Sequence, residues 1–309
     1  MAFLFLSNSD KVNIWRSELT RLCPDMDFRI WPDVGNPEDI EFALIWSPPE
    51  GELAKFPNLK VACSLGAGVD HLFKPGMIPE HVSIVRLVDE TMGTQMREWI
   101  AYAVLRLHRE MPVFDQQQRE GLWKSHPNPD TSKTKVGILG IGELGRMAGQ
   151  ALRAFDFPVM GWSRSPKQIE GIECFHGPDG LTEMLRQTNI AVCLLPLTPE
   201  TKGILNAERF ALMPRGASVI NAARGAHIDD DALLAALDSG QIAFAMMDVF
   251  QTEPLPADHR YWNHPRVTIT PHAASLTPPY TSAPQVAENY RRMLAGEPLM
   301  NVVDRKQGY

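Results

Sequence analysis

Apolar residues in this chain fall into two periods. Short unbroken apolar runs alternate with longer stretches in which apolar positions recur every third or fourth residue, as expected for buried strands and amphipathic helices. Ala2-Phe3-Leu4-Phe5-Leu6 reads as a first strand, closed by the turn-and-cap cluster Ser7-Asn8-Ser9-Asp10, with a helix following to about Cys23. Residues 28–31, 42–46, 61–65 and 82–85 read as four more strands. Strands alternating with helices imply parallel pairing and helices on both faces of a sheet, so residues 1–95 form one doubly wound α/β unit. Met96, Trp99, Ile100, Ala103, Val104, Leu107 and Met111 then recur at helical spacing. A second helical piece covers about 114–124 and includes Leu122 and Trp123, and Ser125-His126-Pro127-Asn128-Pro129-Asp130 breaks the chain. The 96–130 segment carries more apolar surface than a linker needs; pattern alone leaves open whether that surface packs on its own domain or against a second subunit. From 135 to 275 the alternation returns, with strands near 136–139, 158–162, 190–195, 217–221, 244–248 and 267–270. Helices fall near 143–155, 180–187, 206–212 and 229–238. A final helix at 284–295, after the break Thr277-Pro278-Pro279, is expected to cross back to the first domain.

The second unit opens on Val136-Gly137-Ile138-Leu139-Gly140-Ile141-Gly142-Glu143-Leu144-Gly145, a strand, a glycine turn and a helix start. Gly140, Gly142 and Gly145 make G-x-G-x-x-G. The first glycine permits the tight turn, the second lets a pyrophosphate approach bare backbone, and the third lets helix and strand pack closely. The phosphates then meet free N–H groups at a helix N-terminus. NAD sites place an acid about 20 residues further on to hold the ribose hydroxyls. Here the next strand ends in Trp162-Ser163-Arg164-Ser165-Pro166-Lys167, with no acid. Ser163, Arg164, Ser165 and Lys167 suit a 2′-phosphate through charge-assisted hydrogen bonds, which favours NADP(H) over NAD(H). The expected division is therefore a dinucleotide-binding domain at 96–283, including the helical 96–130 segment, and a substrate domain from 1–95 plus 284–309.

The bulk properties narrow the field. A chain of 309 residues suits two domains, and its net charge of −7 without blocks of like charge offers no surface for nucleic acid or an anionic membrane. Cys23, Cys63, Cys174 and Cys193 are scattered, with no C-x-x-C and no Cys/His cluster, so free thiols in a reducing compartment and no metal site are expected. The N-terminal apolar run is too short for a signal peptide or a membrane span, and a cytoplasmic location is expected.

Ligands of open α/β sheets bind at the carboxyl ends of the strands. Those ends carry Pro196-Leu197-Thr198-Pro199-Glu200-Thr201, a turn placed to wall a cofactor, then Asn221-Ala222-Ala223-Arg224-Gly225, Asp248-Val249-Phe250-Gln251-Thr252-Glu253-Pro254 and Pro271-His272-Ala273-Ala274-Ser275. An Arg, a Glu and a His on successive loops of one face suit hydride transfer to a 2-oxo acid. Arg224 binds the carboxylate and polarises the carbonyl, His272 donates a proton to the oxygen, and Glu253 holds the imidazole and favours its charged form. Asp248 either contacts the nicotinamide side or orients its neighbours. Taken singly, each has a blander reading: a packed His, a surface Glu before proline, a solvated Arg before glycine. The cofactor set read this way is Gly140, Gly142, Glu143, Leu144, Gly145, Ser163, Arg164, Ser165, Lys167, Leu195, Pro196, Thr201, Ala222, Ala223, Asp248 and Ala274. In the first unit, Leu65-Gly66-Ala67-Gly68 follows a strand. Its N–H groups either form a nest for a substrate carboxylate or belong to a plain glycine turn. Trp46 ends another strand and either walls a small pocket or is a rim aromatic.

These segments resemble the D-isomer-specific 2-hydroxyacid dehydrogenase family over nearly the whole chain. The markers are Gly140 to Gly145, Asn221 to Gly225, Asp248 to Pro256 and Pro271 to Ala274. Trp46-Ser47-Pro48-Pro49, Leu65 to Asp70, Trp162 to Ser165, Val303-Asp304-Arg305 and Gly308-Tyr309 are similar to its branch of bacterial glyoxylate/hydroxypyruvate reductases. The resemblance implies two flavodoxin/Rossmann-like domains with an inter-domain cleft, a homodimer, and NADPH-dependent reduction of glyoxylate and hydroxypyruvate with Arg224, Glu253 and His272 as the catalytic set. It also implies that the Leu65–Gly68 backbone helps bind the substrate carboxylate. The segment Ser275-Leu276-Thr277-Pro278-Pro279-Tyr280 departs from that branch, which bears on substrate preference. Two alternatives share the scaffold. Formate dehydrogenases pair the histidine with Gln where this chain has Glu253, and a dinucleotide-sensing protein would carry peptide-binding extensions.

Overall fold

The computed structural model describes residues 1–7 and 12–305. Asn8, Ser9 and Asp10 of the expected cap cluster, and Gly308 and Tyr309, lie outside the described residues. Packing divides the chain into two units, Met1–Met92 with the segment from Leu276 onward, and Gly93–Ser275. Pattern set these borders at 95/96 and 283/284. The return falls earlier because the Thr277 hydroxyl already donates to the Leu65 carbonyl of the first unit.

In chain order, the first unit begins with β1 (Ala2–Leu6), α1 (Val12–Leu22), β2 (Phe28–Ile30), β3 (Ile40–Ile45), β4 (Val61–Ser64) and β5 (Ser83–Val85). All five strands are parallel, in the order β2-β1-β3-β4-β5, the flavodoxin-like arrangement. Every residue of β1 is buried because both sheet faces are covered. Phe3 and Phe5 join Trp15, Leu19, Val286 and Tyr290 on one side, while Ala2, Leu4 and Leu6 join Leu53, Leu72 and Ile84 on the other.

The chain leaves through α2 (Glu90–His108), whose first turn is capped by Asp89 accepting from Thr91 N at 2.7 Å, and then α3 (Met111–Glu120). The second unit continues with β6 (Val136–Leu139), α4 (Glu143–Arg153), β7 (Val159–Ser163), β8 (Glu173–His176), α5 (Gly177–Leu185), β9 (Ile190–Cys193), α6 (Ala207–Leu212), β10 (Ala217–Asn221), α7 (Asp230–Asp238), β11 (Ile242–Met247) and β12 (Val267–Ile269). Its seven parallel strands run β12-β11-β10-β9-β6-β7-β8. Counted from β6 this is the dinucleotide-fold order 3-2-1-4-5-6 with one strand added beyond β11. The order reverses between β6 and β9, and the crevice at their carboxyl ends is where such sheets bind ligands. Helix α8 (Pro279–Ala295) then rejoins the first unit.

Several elements differ from the pattern. Strand β8 went unread because it lies at the sheet edge, and of its four residues only Phe175 is fully buried, so no apolar run marks it. Helices α5 and α8 start at Gly177-Pro178 and Pro279, before the expected 180 and 284, since proline in the first helical turn lacks only an N–H that would go unpaired anyway. Gly121, left-handed at φ 66°, ends α3, so Leu122 and Trp123 fall outside the helix. The question left open over 96–130 resolves in part. Ile100, Ala103, Val104 and Leu107 bury against Val136, Ile138, Ala148 and Leu152 of the same unit, while Tyr102, Met111, Leu122 and Trp123 stay exposed, Trp123 fully so at 101%.

Tyr290 of α8 stands edge-on to Phe3 and Phe42, 5.8 Å from each ring, and those two rings stack at 5.1 Å. Phe42→Ala should remove the centre of this cluster and lower the unfolding free energy by about 3–5 kcal/mol, read from urea unfolding. A loss within the noise of such a titration would mean the cluster does not hold the first unit together.

Candidate active site

The glycine turn between β6 and α4 is shaped by contacts that admit no side chain. Gly140 is left-handed at φ 101°, and a Cβ there would stand 2.7 Å from the Leu194 carbonyl carbon; at Gly145 it would stand 2.2 Å from the Gly140 oxygen. Gly142, which caps α4, has open space where its Cβ would be. Tight packing at two glycines and a bare approach at the third is the shape a pyrophosphate needs, with the α4 N-terminus behind it, so these residues fit a dinucleotide.

The basic loop lies beside this turn. Lys167 Nζ donates to Ile141 O at 3.1 Å, which ties the two segments together. The Ser163 hydroxyl donates to Ser165 O at 2.8 Å, fixing the loop after β7 while Arg164, Ser165 and Lys167 remain exposed. The exposed Glu200 carboxyl is held below the usual range, first by the Thr198 hydroxyl and also by the Arg164 charge. Across the crevice, Leu195 and Pro196 follow β9, and the Thr201 hydroxyl donates to Pro196 O at 2.7 Å. Ala222 and Ala223, after β10, are buried.

Arg224 follows them, in a turn pressed against the next loop. A Cβ on Gly225 would lie 1.9 Å from the Phe250 carbonyl carbon, so only glycine lets the Arg224 turn approach the segment bearing Glu253. Phe250 N donates to Glu253 Oε1 at 2.9 Å, and Glu253 Oε2 lies 2.7 Å from His272 Nδ1. Burial disfavours the Glu253 carboxylate, but the His272 ring, the Phe250 N–H and the Arg224 charge outweigh it and hold its carboxyl below the usual glutamate range. With Nδ1 engaged, Nε2 is the ring nitrogen left to face a substrate.

His272 sits in left-handed backbone at φ 51°. Asp248, 1% exposed, holds it there: Oδ1 accepts from the Thr270 hydroxyl at 2.6 Å and from Ala273 N at 2.8 Å, Oδ2 accepts from Ala274 N at 3.0 Å, and the Asp248 carbonyl accepts from His272 N at 2.7 Å. Of the two readings of Asp248, these contacts support the orienting one.

The first unit carries the remaining pair. The Gly66 N–H is taken by Ser64 Oγ at 3.2 Å, and Leu65 N donates to Ile45 O at 2.9 Å. The expected nest therefore shrinks to the N–H groups of Ala67 and Gly68, which meet no acceptor among the described residues. Trp46 closes over Gly66, where a Cβ would come within 2.8 Å of its ring, and it packs on His71 at 4.7 Å. Asn221 and Gly225 stand in the strand-end motif quoted from the sequence but were given no role there, and neither were Thr270 and His227. Asn221, 0% exposed at a strand end, shows its part only through its burial.

Comparison with known proteins places the chain in a family. Residues 101–274 match the family model of the D-isomer specific 2-hydroxyacid dehydrogenase NAD-binding domain. The chain is 42% identical to glyoxylate/hydroxypyruvate reductase A of Yersinia enterocolitica over 96% of both chains. Among solved structures, a D-isomer specific 2-hydroxyacid dehydrogenase from Xanthobacter autotrophicus, in complex with NADPH and MES, is 46% identical with a TM-score of 0.93, over 100% of this chain and 99% of that one. An NADPH-dependent glyoxylate/hydroxypyruvate reductase from Sinorhizobium meliloti, in complex with NADP and sulfate, is 34% identical with a TM-score of 0.92 over 100% of both.

Two outcomes follow from the loop geometry. Asp248→Asn turns an N–H toward groups that are themselves donors, and should cost about 1–3 kcal/mol in chemical denaturation; unchanged stability would remove Asp248 as the anchor of the 270–274 loop. Glu253 has a folded pKa below its unfolded value, so its contribution to stability is present above the unfolded value and lost as pH falls through the folded one. Wild type and Glu253→Gln should differ in Tm at neutral pH and converge below about pH 4; a constant gap down to pH 3 would contradict the pairing.

Proposed function

We propose that this chain, which belongs to the D-isomer specific 2-hydroxyacid dehydrogenase family, is an NADPH-dependent reductase of small 2-oxo acids that takes glyoxylate to glycolate and hydroxypyruvate to D-glycerate. The observation that carries the reading is the Glu253–His272 contact at 2.7 Å, one strand-end loop from Arg224 and on the same sheet end as the glycine turn. NADPH, when bound, supplies the hydride for the carbonyl carbon. The Arg224 guanidinium engages the 2-oxo acid and draws charge toward the carbonyl oxygen. His272 delivers the proton to that oxygen from Nε2, and Glu253 keeps the ring oriented through Nδ1 as its charge changes. Asp248 acts on the reaction by fixing the loop that carries His272.

Gly140, Gly142, Glu143, Leu144 and Gly145 cradle the pyrophosphate, and Ser163, Arg164, Ser165 and Lys167 receive the 2′-phosphate. Leu195, Pro196, Thr201, Ala222, Ala223 and Ala274 line the remaining cofactor surface. In the first unit, the Ala67 and Gly68 N–H groups take a substrate carboxylate beside Trp46. The working form is a homodimer; the exposed Tyr102, Met111, Leu122 and Trp123 on and after α2 and α3 support this, as large apolar side chains left in water favour burial against a partner. A cytoplasmic location is supported by four free cysteines and by the lack of any described helix long and apolar enough to cross a membrane.

The test is a grid of initial rates with NADPH and NADH against glyoxylate, hydroxypyruvate, pyruvate and a bulkier 2-oxo acid, repeated with Arg164→Asp. Fast NADPH oxidation with the first two acids is expected, and the variant should lose about ten-fold or more of the preference for NADPH over NADH. Activity only with bulkier acids would overturn the substrate while keeping the chemistry. Tight NADPH binding without turnover would favour a dinucleotide-sensing protein, and an unchanged cofactor ratio would displace Arg164 from the phosphate.

A further inference from the structure

His227 is a buried ring that the reduction as written leaves unused. It lies three residues past Arg224 with 0% exposure. Nδ1 is 3.2 Å from the Arg224 amide nitrogen and 3.1 Å from the Arg224 carbonyl oxygen, and Nε2 is 3.3 Å from the Pro196 carbonyl oxygen. The ring thus spans two turns from different strand ends, the Arg224 turn after β10 and the proline turn after β9.

The main chain around it joins the same two segments. Gly203 N donates to Ala226 O at 2.8 Å and Leu205 N to His227 O at 2.9 Å. The remaining backbone groups near Arg224 are committed as well. Asn221 Nδ2 donates to Arg224 O at 2.8 Å, and Ala223 N donates to Asn221 Oδ1 at 3.1 Å. The Arg224 side chain donates from Nη1 to Ala223 O at 2.6 Å. His227 reaches from the Arg224 turn to Pro196.

Burying an imidazole costs free energy that an apolar residue of similar size would not incur, unless both nitrogens are bonded. Here both are. Burial disfavours the charged ring, while the Cys193 sulfur and the Pro196 and Arg224 carbonyls favour it and lift its pKa above the ordinary histidine value. The bridge survives in either charge state. Nε2–H donates to Pro196 O in both, and Nδ1 either accepts from the Arg224 N–H or donates to the Arg224 carbonyl.

We propose that His227 is a positioning residue that couples the Arg224 turn to the Pro196 turn, so that one ring sets the placement of both the 2-oxo acid and the nicotinamide cofactor. The inference rests on the reading of Arg224 as the substrate contact and of Pro196 as part of the cofactor wall.

Two amide substitutions separate the two arms of the bridge. An Asn side chain reaches the position of Nδ1 and can bond either main-chain group of Arg224, whereas a Gln side chain reaches the position of Nε2 and can donate to Pro196. The intact enzyme and the variants His227→Asn, His227→Gln and His227→Leu are compared by KM for glyoxylate and by the Kd for NADPH from fluorescence titration. Turnover by the unaltered enzyme tests the functional reading by itself, and the contrast between variants tests His227. His227→Asn should keep KM within about two-fold and raise the NADPH Kd about five-fold, His227→Gln should do the reverse, and His227→Leu should raise both, as expected for loss of one buried hydrogen bond at each turn. The proposal is overturned if Asn and Gln give the same profile, or if they lower Tm while KM and Kd stay at wild-type values. Because the two amides decide the outcome, a poorly folding Leu variant does not affect it.

Discussion

A buried carboxylate governs the reactive end of the second unit. The Asp248 carboxyl group at 1% exposure is costly to hold unless its oxygens are bonded, and it finds its partners among Thr270, Ala273 and Ala274. Those bonds leave the loop after β12 one place to lie. They also support His272 in a left-handed backbone conformation, which costs a non-glycine residue on the order of 1–3 kcal/mol. The strain and the burial penalty are thus met by the same few hydrogen bonds. The result is an imidazole whose position is set from below by Asp248 and whose orientation is set from the side by Glu253.

Sterics complete what the carboxylates begin. Gly145 and Gly225 lie where a β-carbon would collide with main chain, and each brings two segments into contact that any other residue would separate. At Gly145 these are the glycine turn and the helix behind it. At Gly225 they are the Arg224 turn and the Glu253 loop, so the cation's influence on Glu253 depends on a missing side chain one strand earlier in the chain. The chemistry of the site is carried by charged residues, but their separation is fixed by glycines.

This division explains what could be read in advance. The glycine turn, Arg224, Glu253 and His272 were legible because strand ends in a parallel sheet share one edge, so chain order and sheet topology together place them on one face. Both sheets were legible because their central strands are buried on two sides and appear as unbroken apolar runs. Strand β8 was not, since an edge strand with Glu173 and His176 exposed has no such run. Neither was the placement of Trp123, where a single left-handed glycine ended the helix at Glu120 rather than near 124. Asn221 and His227 were hidden for another reason. Burial makes them structural, and a polar letter in a sequence does not announce that it is buried. The nest after β4 shows the limit of motif reading. Gly66 looks like a ligand-binding glycine, but its N–H is spent on Ser64, and only the next two amides remain.

The discontinuity of the first unit bears on how the protein is made. A ribosome releases β1 through β5 early, yet the face bearing Phe3, Phe5, Phe42 and Leu44 is shared between α1, made at once, and α8, which emerges only after the whole second unit. The second unit, by contrast, is one uninterrupted stretch and has all its strands in hand before α8 appears. Nascent chains therefore carry a half-covered aromatic face through most of their elongation, while a later-born unit is already able to fold. Such a surface is what holdase chaperones bind and what misassembly exploits. Interruption of translation between β12 and α8 would leave a chain with an intact nucleotide fold and a sheet with one face covered by α1 alone.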